Sequence, residues 1–200
     1  MNIHQYLLSG ARQIQSWLFP GHEITYDLAS FYKPMHFSDC TYLLSYKSPT
    51  VHTAIKANKY HRDPQAARAL GVVLAGYLQQ FDHRSCTIIP LPQSFGRWRE
   101  RGFDHLKEVL KHTNHFDCVR FDVLTKPIHT QRQAHVTKTI RLTQQTGTFA
   151  CDRARAGTLP HTVILFDDVA TTGATMRAAQ ATLAPHLPPD ARLICLAIAH

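Results

Sequence analysis

Paired cysteines are missing from this chain. Its five cysteines, Cys40, Cys86, Cys118, Cys151 and Cys195, are odd in number and widely spaced, which excludes a disulfide framework or a zinc-ribbon spacing. Cys86 and Cys195 lie in apolar runs and read as small buried hydrophobes rather than reactive thiols. No uninterrupted apolar run approaches the roughly 20 residues that span a bilayer. The first residues lack the basic start and small-residue cleavage site of a secretory signal, so the expected compartment is cytoplasmic. Acidic residues are scarce: 14 Asp and Glu stand against 22 Lys and Arg, for a formal net charge of +8. That balance favours anionic partners such as phosphates, pyrophosphate or nucleic acid, without choosing among them. The 14 histidines are scattered, and none pairs at metal-binding spacing. There is no internal repeat and no low-complexity tract.

What is present reads as one α/β domain with a short extension, divided here as residues 1–40 and 41–200. Ile3, Leu7, Leu8, Ile14, Trp17 and Leu18 predict a helix over residues 1–19, ended by Pro20-Gly21. Residues 20–40 read as an irregular connector. Residues 41–46 suit a strand and residues 51–59 a short helix. Asp63-Pro64 marks a helix start, a capping side chain before proline at the first helical position. The stripe Ala66, Ala69, Leu70, Val73, Leu74, Tyr77, Leu78 and Phe81 faces a core. Strands are expected over residues 86–91, 119–124, 162–166 and 192–199, and helices over 102–112 and 174–183. Residues 126–148 are polar, basic and threonine-rich without a period, too long for an ordinary connection. Strands alternating with helices predict a mostly parallel sheet flanked by helices, with ligands beyond the carboxyl ends of its strands. The loops to inspect follow Leu91, Leu124 and Phe166.

The loop after Phe166 runs Asp167-Asp168-Val169-Ala170-Thr171-Thr172-Gly173-Ala174-Thr175. A buried strand ends in two carboxylates, small and hydroxylated residues follow, and a helix begins. The first N–H groups of a helix lack intrahelical partners and, with its dipole, attract an anion. Thr171, Thr172 and Thr175 add hydroxyls, and Gly173 allows close backbone approach. Carboxylates beside a phosphate suit sugar hydroxyls or a divalent cation. Composition leaves a second reading open, in which Asp167-Asp168 starts an ordinary turn and Thr172 merely caps the helix.

Residues 163–175, Val-Ile-Leu-Phe-Asp-Asp-Val-Ala-Thr-Thr-Gly-Ala-Thr, closely resemble the phosphoribosyl pyrophosphate signature of type I phosphoribosyltransferases. They depart from it at Ala170, where a larger aliphatic is usual. Ser45-Tyr46-Lys47, Lys59-Tyr60-His61-Arg62-Asp63, Pro90-Leu91-Pro92 and Arg97-Trp98-Arg99-Glu100-Arg101-Gly102-Phe103-Asp104 are similar to blocks of the ComF family. So are Thr130, Gln133, Arg141-Leu142, Gly147 and Phe149. Within that pattern Ile140 replaces an acidic residue, Asp104 and His105 replace an amide pair, and the N-terminal paired-cysteine zinc ribbon is missing, so no zinc is expected.

The resemblance implies a type I phosphoribosyltransferase fold that binds phosphoribosyl pyrophosphate. Residues 171–175 would hold the 5-phosphate. Asp167 and Asp168 would hold the ribose hydroxyls and share a magnesium ion. Arg97, Arg99 and Arg101, read as a loop, would meet the pyrophosphate. Lys138 and Arg141, in a loop that covers the site, would add phosphate contacts. The expected reaction is displacement of pyrophosphate by a nitrogen acceptor that the sequence does not identify. Residues 1–40 are the spare material for a base-recognising hood. A homodimer stays open, as do two alternatives: a phosphoribosyl-binding module without turnover, and a competence protein handling single-stranded DNA during DNA uptake. Trp98 between Arg97 and Arg99 suits base stacking, although packing into the core is the ordinary expectation for a tryptophan.

Overall fold

A computed structural model describes residues 25–37, 39–127 and 148–200. The helix expected over residues 1–19, most of the threonine-rich loop, and Lys138 and Arg141 lie outside the described residues. A five-stranded sheet forms the centre, in the order β1 (Met35–Phe37), β2 (Cys40–Leu44), β7 (Arg192–Ala199), β6 (Thr162–Val169), β3 (Cys86–Pro90). β2, β7, β6 and β3 are mutually parallel, and β1 runs antiparallel at the edge. The expected mixed α/β class with a mostly parallel, helix-flanked sheet is therefore observed.

β6 is central, and Val163, Ile164, Leu165 and Phe166 have no exposed surface. A strand buried on both faces needs a continuous apolar run, which is what these residues supply. Successive side chains point to opposite faces. Ile164 and Phe166 pack with α1 (Pro49–His61), α2 (Pro64–Leu78) and α4 (His105–Leu110), through Ile55, Leu70, Leu74 and Leu106. Val163 and Leu165 pack on the other face with Met176, Ala179 and Leu183 of α6 (Ala174–Leu183), and with Val123, Leu124 and Phe149. Each fully buried Leu or Phe contributes about 1.5–3 kcal/mol.

Local signals place the helices. Asp63 caps α2 by accepting from Gln65 N and Ala66 N, with Pro64 beside it. Asp104 caps α4 in the same way through Leu106 N and Lys107 N. Between them lies α3 (Phe95–Arg101), capped by Ser94 and closed by Gly102 at φ 73°. That left-handed residue ends α3, a conformation glycine adopts without the Cβ penalty, and α4 begins three residues later. It sets Arg101 of α3 beside His105 of α4.

Four expectations change. The segment carrying Arg97, Arg99 and Arg101 is a helix, not a loop. The helix expected from Gly102 starts at His105, because Asp104 caps it. The strand expected over residues 119–124 is reduced to β4 (Leu124–Thr125), paired with β5 (Ala150–Cys151), and an isolated bridge from Val119 to Ile88. Arg120 and Asp122, bound to each other, occupy the middle of that segment. The connector ahead of residue 40 contains β1. The short α5 (Arg153–Ala156) follows β5. Cys86 and Cys195 are buried as expected, and burial pushes their thiols up to about 11 and about 12. Among the described residues, no helix is long and apolar enough to cross a membrane.

Candidate functional site

The sheet ends its parallel strands at one edge, and the sequence-singled loop lies there. β6 continues through Val169, so both aspartates belong to the strand itself. Strand alternation then separates them. Asp168 turns toward α1 and α4, the face of Ile164 and Phe166, while Asp167 turns toward the face of Val163 and Leu165.

Their surroundings differ sharply. Asp168 is 2% exposed and fully engaged. Lys59 Nζ of α1 donates to Oδ1 at 3.0 Å and to Oδ2 at 2.9 Å. Val169 N donates to Oδ1 at 2.9 Å, and His105 Nε2 of α4 lies 3.1 Å from Oδ2. A carboxylate offers about four acceptor positions; two hydrogen bonds from Lys59 and one from Val169 N occupy Asp168, with His105 Nε2 in close contact beside them. Burial alone would raise its pKa, but His105 and Lys59 outweigh burial and hold it below the usual carboxylate range. Asp167 is half-buried and, among the described residues, accepts one bond, from Asp168 N at 2.9 Å. Burial, then the neighbouring Asp168 charge, push its pKa above the usual carboxylate range. The pair is thus one clasped anion and one carboxyl with acceptor positions to spare.

Beyond Val169 the chain is pinned and then released. Ala170 N donates to Ala199 O at 3.1 Å, and His200 Nδ1 lies 2.8 Å from Ala170 O. Because a carbonyl only accepts, Nδ1 carries the proton in that contact. Phe37 stacks on the His200 ring and Tyr42 packs against it at a tilt. Ala170 is buried among Cys40, Tyr42 and Met176. Thr171, Thr172, Ala174 and Thr175 are exposed. Gly173 is buried with φ 69° and begins α6 without a side-chain cap on its own residue. Thr172 Oγ1 accepts from Ala174 N at 3.4 Å, so the capping role of Thr172 is real but long. This arrangement leaves three threonines exposed around the start of α6, where an anion site would stand.

The three arginines divide. Arg97 and Arg99 are exposed on α3, with Arg99 over the Phe95 ring at 5.9 Å. Arg101 turns inward. Its Nη1 donates to Gln93 Oε1 at 3.1 Å and lies 3.3 Å from His105 Nδ1, and its guanidinium sits 5.2 Å over the Tyr60 ring. Trp98 is not packed in the core: it is 51% exposed and stacked on Phe95 at 6.2 Å. These two rings and Phe121 line a cleft of about 320 Å³ with Pro90, Pro92 and Lys126. Burial, then the charge of Arg97, lowers the Lys126 pKa, while Asp167 opposes the change. Lys126 therefore lies within electrostatic reach of both.

Sequence reasoning missed Lys59 and His105 as site residues. In sequence Lys59 stands only within a family-like block, and His105 only as a departure from an amide. Asn58 was missed as well; its Nδ2 donates to His105 O at 3.1 Å and ties α1 to α4.

Magnesium favours oxygen donors and usually takes one or two carboxylates, with ligand phosphates and water completing its shell. Asp167 fits that demand. Asp168 fits it only if Lys59 moves away. Among the described residues no cluster of three or more His, Cys, Asp or Glu side chains could hold a metal ion.

No family model matches this chain, and no curated protein matches it. Among solved structures, one described as the "structure of the allosteric regulatory enzyme of purine biosynthesis" superposes with a TM-score of 0.45 at 11% identity. The match covers 70% of this chain and 30% of that one.

Proposed function

We propose that this protein is a phosphoribosyltransferase-like protein of the ComF type that binds phosphoribosyl pyrophosphate with magnesium at the carboxyl end of β6. The observation that carries the reading is the pairing of two features in one turn. A carboxyl with acceptor positions open among the described residues, Asp167, lies near the end of a buried strand. Exposed Thr171, Thr172 and Thr175 then surround the start of α6. Residues 171–175 would take the 5-phosphate through hydroxyls and backbone N–H groups. Asp167 would accept from a ribose hydroxyl and hold the metal. Asp168 would act from behind, its charge already balanced by Lys59, with His105 Nε2 close beside it. Arg97 and Arg99 are the exposed cations for the pyrophosphate, since Arg suits bidentate phosphate contacts. Bound magnesium would supply charge neutralisation at the leaving pyrophosphate.

The proposed reaction is displacement of pyrophosphate from the sugar by a nitrogen acceptor, with Lys138 and Arg141 contributing from the threonine-rich loop. Calorimetry with phosphoribosyl pyrophosphate and magnesium tests the binding half, and pyrophosphate release over a panel of amines and bases tests turnover. Binding without release would favour a module that holds the compound without reacting it. No heat of binding in the wild-type protein would contradict the reading.

A second reading rests on the exposed Trp98 and Phe95 beside Arg97 and Arg99. Such a surface suits stacking of single-stranded DNA bases, as a role in DNA uptake would require. Retardation of single-stranded DNA that weakens with salt, and is lost in Trp98→Ala, supports it. Retardation unaffected by that substitution counts against it.

A further inference from the structure

We propose that His105 is a positioning residue that couples the arginine helix α3 to the acid pair, so that an anion bound at α3 changes the affinity for a sugar phosphate at β6. This inference rests on the phosphoribosyl reading of the site and adds a residue and a linkage to it.

The connection is a chain of polar contacts. Gln93 Oε1 meets Arg101 Nη1 at 3.1 Å, Arg101 Nη1 meets His105 Nδ1 at 3.3 Å, His105 Nε2 meets Asp168 Oδ2 at 3.1 Å, and Lys59 closes on the same carboxylate. Arginine has donors and no acceptor. Nδ1 of His105 must therefore present its lone pair to Arg101, which leaves Nε2 as the nitrogen carrying hydrogen toward Asp168. The ring accepts from one arm of the site and faces the carboxylate of the other. Its own position is fixed by burial (3% exposed) and by Asn58 on its carbonyl.

Two further observations make this chain a coupling element rather than packing. None of the residues of α3 is buried. Half-buried Arg101, held by Gln93, His105 and the Tyr60 ring, is its inward anchor. A ligand that draws α3 by Arg97 or Arg99 would pull on that anchor. The network also has surplus donors: Gln93 Nε2 and Arg101 Nε are buried without an aligned acceptor among the described residues, and His105 Nε2, although 3.1 Å from Asp168 Oδ2, is not aligned for a full hydrogen bond to it. Buried donors left in that state are costly, and an acceptor arriving among them would relieve that cost. Movement of Arg101 toward an anion releases His105 Nδ1, and the ring that braces Asp168 is no longer held from behind.

The test measures ribose 5-phosphate affinity by calorimetry in magnesium chloride, with and without saturating inorganic pyrophosphate. The wild-type protein should show a change of about five- to tenfold, in the range usual for coupled sites. His105→Asn keeps an acceptor near Nδ1, and His105→Gln keeps a donor near Nε2. Each retains one half of the bridge, so each should bring the change below about twofold. Arg101→Gln, at the half-exposed end of the chain, should do the same and guards against a misfolded core variant. A change near unity in the wild type, or one preserved in all three variants, would overturn the proposal. Failure of the wild-type protein to bind ribose 5-phosphate would overturn the phosphoribosyl reading beneath it.

Discussion

The ammonium of Lys59 reaches both oxygens of Asp168, at 3.0 and 2.9 Å, across 109 residues of sequence. The pair joins α1 to the end of β6, and Lys59 balances a charge that would otherwise be buried alone. Lys59 is 20% exposed and Asp168 2%, so solvent screens only one end. Removing one partner of a buried pair leaves the other uncompensated, and Lys59→Met should cost about 3 kcal/mol. Chemical denaturation checks this: the midpoint should fall with an unchanged slope.

Asp167 and Asp168 should give opposite pH dependence. The raised pKa of Asp167 means its contribution to stability is complete below the unfolded value of about 3.9 and is lost as pH rises through the folded value. The lowered pKa of Asp168 gives stability that is complete above the unfolded value and is lost as pH falls. Asp167→Asn removes the first effect and keeps the second. Thermal melts from pH 5 to pH 9 should show the variant gaining on the wild type as pH rises, by roughly 2–4 °C in Tm for each kcal/mol. A constant difference across that range would show that Asp167 does not titrate differently in the folded protein.

Gly173→Ala separates folding from ligand binding. The residue sits at φ 69°, and an added Cβ would lie 2.9 Å from Arg177 Nη1, the free end of a flexible side chain. The backbone strain should cost about 1 kcal/mol, which the fold can absorb. The loop that must wrap a phosphate would shift, so affinity for phosphoribosyl pyrophosphate should fall at least about tenfold, equivalent to 1.4 kcal/mol. Calorimetry beside a thermal melt reads both.

Trp98→Ala should change stability by no more than about 0.5 kcal/mol, because the side chain is half-exposed on a helix with no buried residue. Phe166→Ala, at the centre of the sheet, should cost about 3–5 kcal/mol. Similar losses from the two would contradict the placement of α3 on the surface.

Much of the fold was legible because apolar periodicity and capping agreed. Asp63-Pro64 opened α2, and the apolar runs marked β3, β6 and β7. The end of β6 was not legible: consecutive aspartates are poor strand formers, and only pairing with Ala197 and Ala199 of β7 carries the strand through Val169. α3 was missed because a seven-residue helix with no buried face leaves no apolar stripe. The signature loop itself was read from residue types and resemblance. Its inner support was not, since Lys59 and His105 meet Asp168, and Arg101 meets His105, only through tertiary packing. Arg101 accordingly faces inward, whereas the sequence grouped it with Arg97 and Arg99.

A crystal of the protein soaked with ribose 5-phosphate and magnesium tests the central assignment most directly. The account predicts phosphate density against Thr171, Thr172, Thr175 and the first amides of α6, with a ribose hydroxyl on Asp167. Density elsewhere, or a loop that stays empty at saturating ligand, would contradict it.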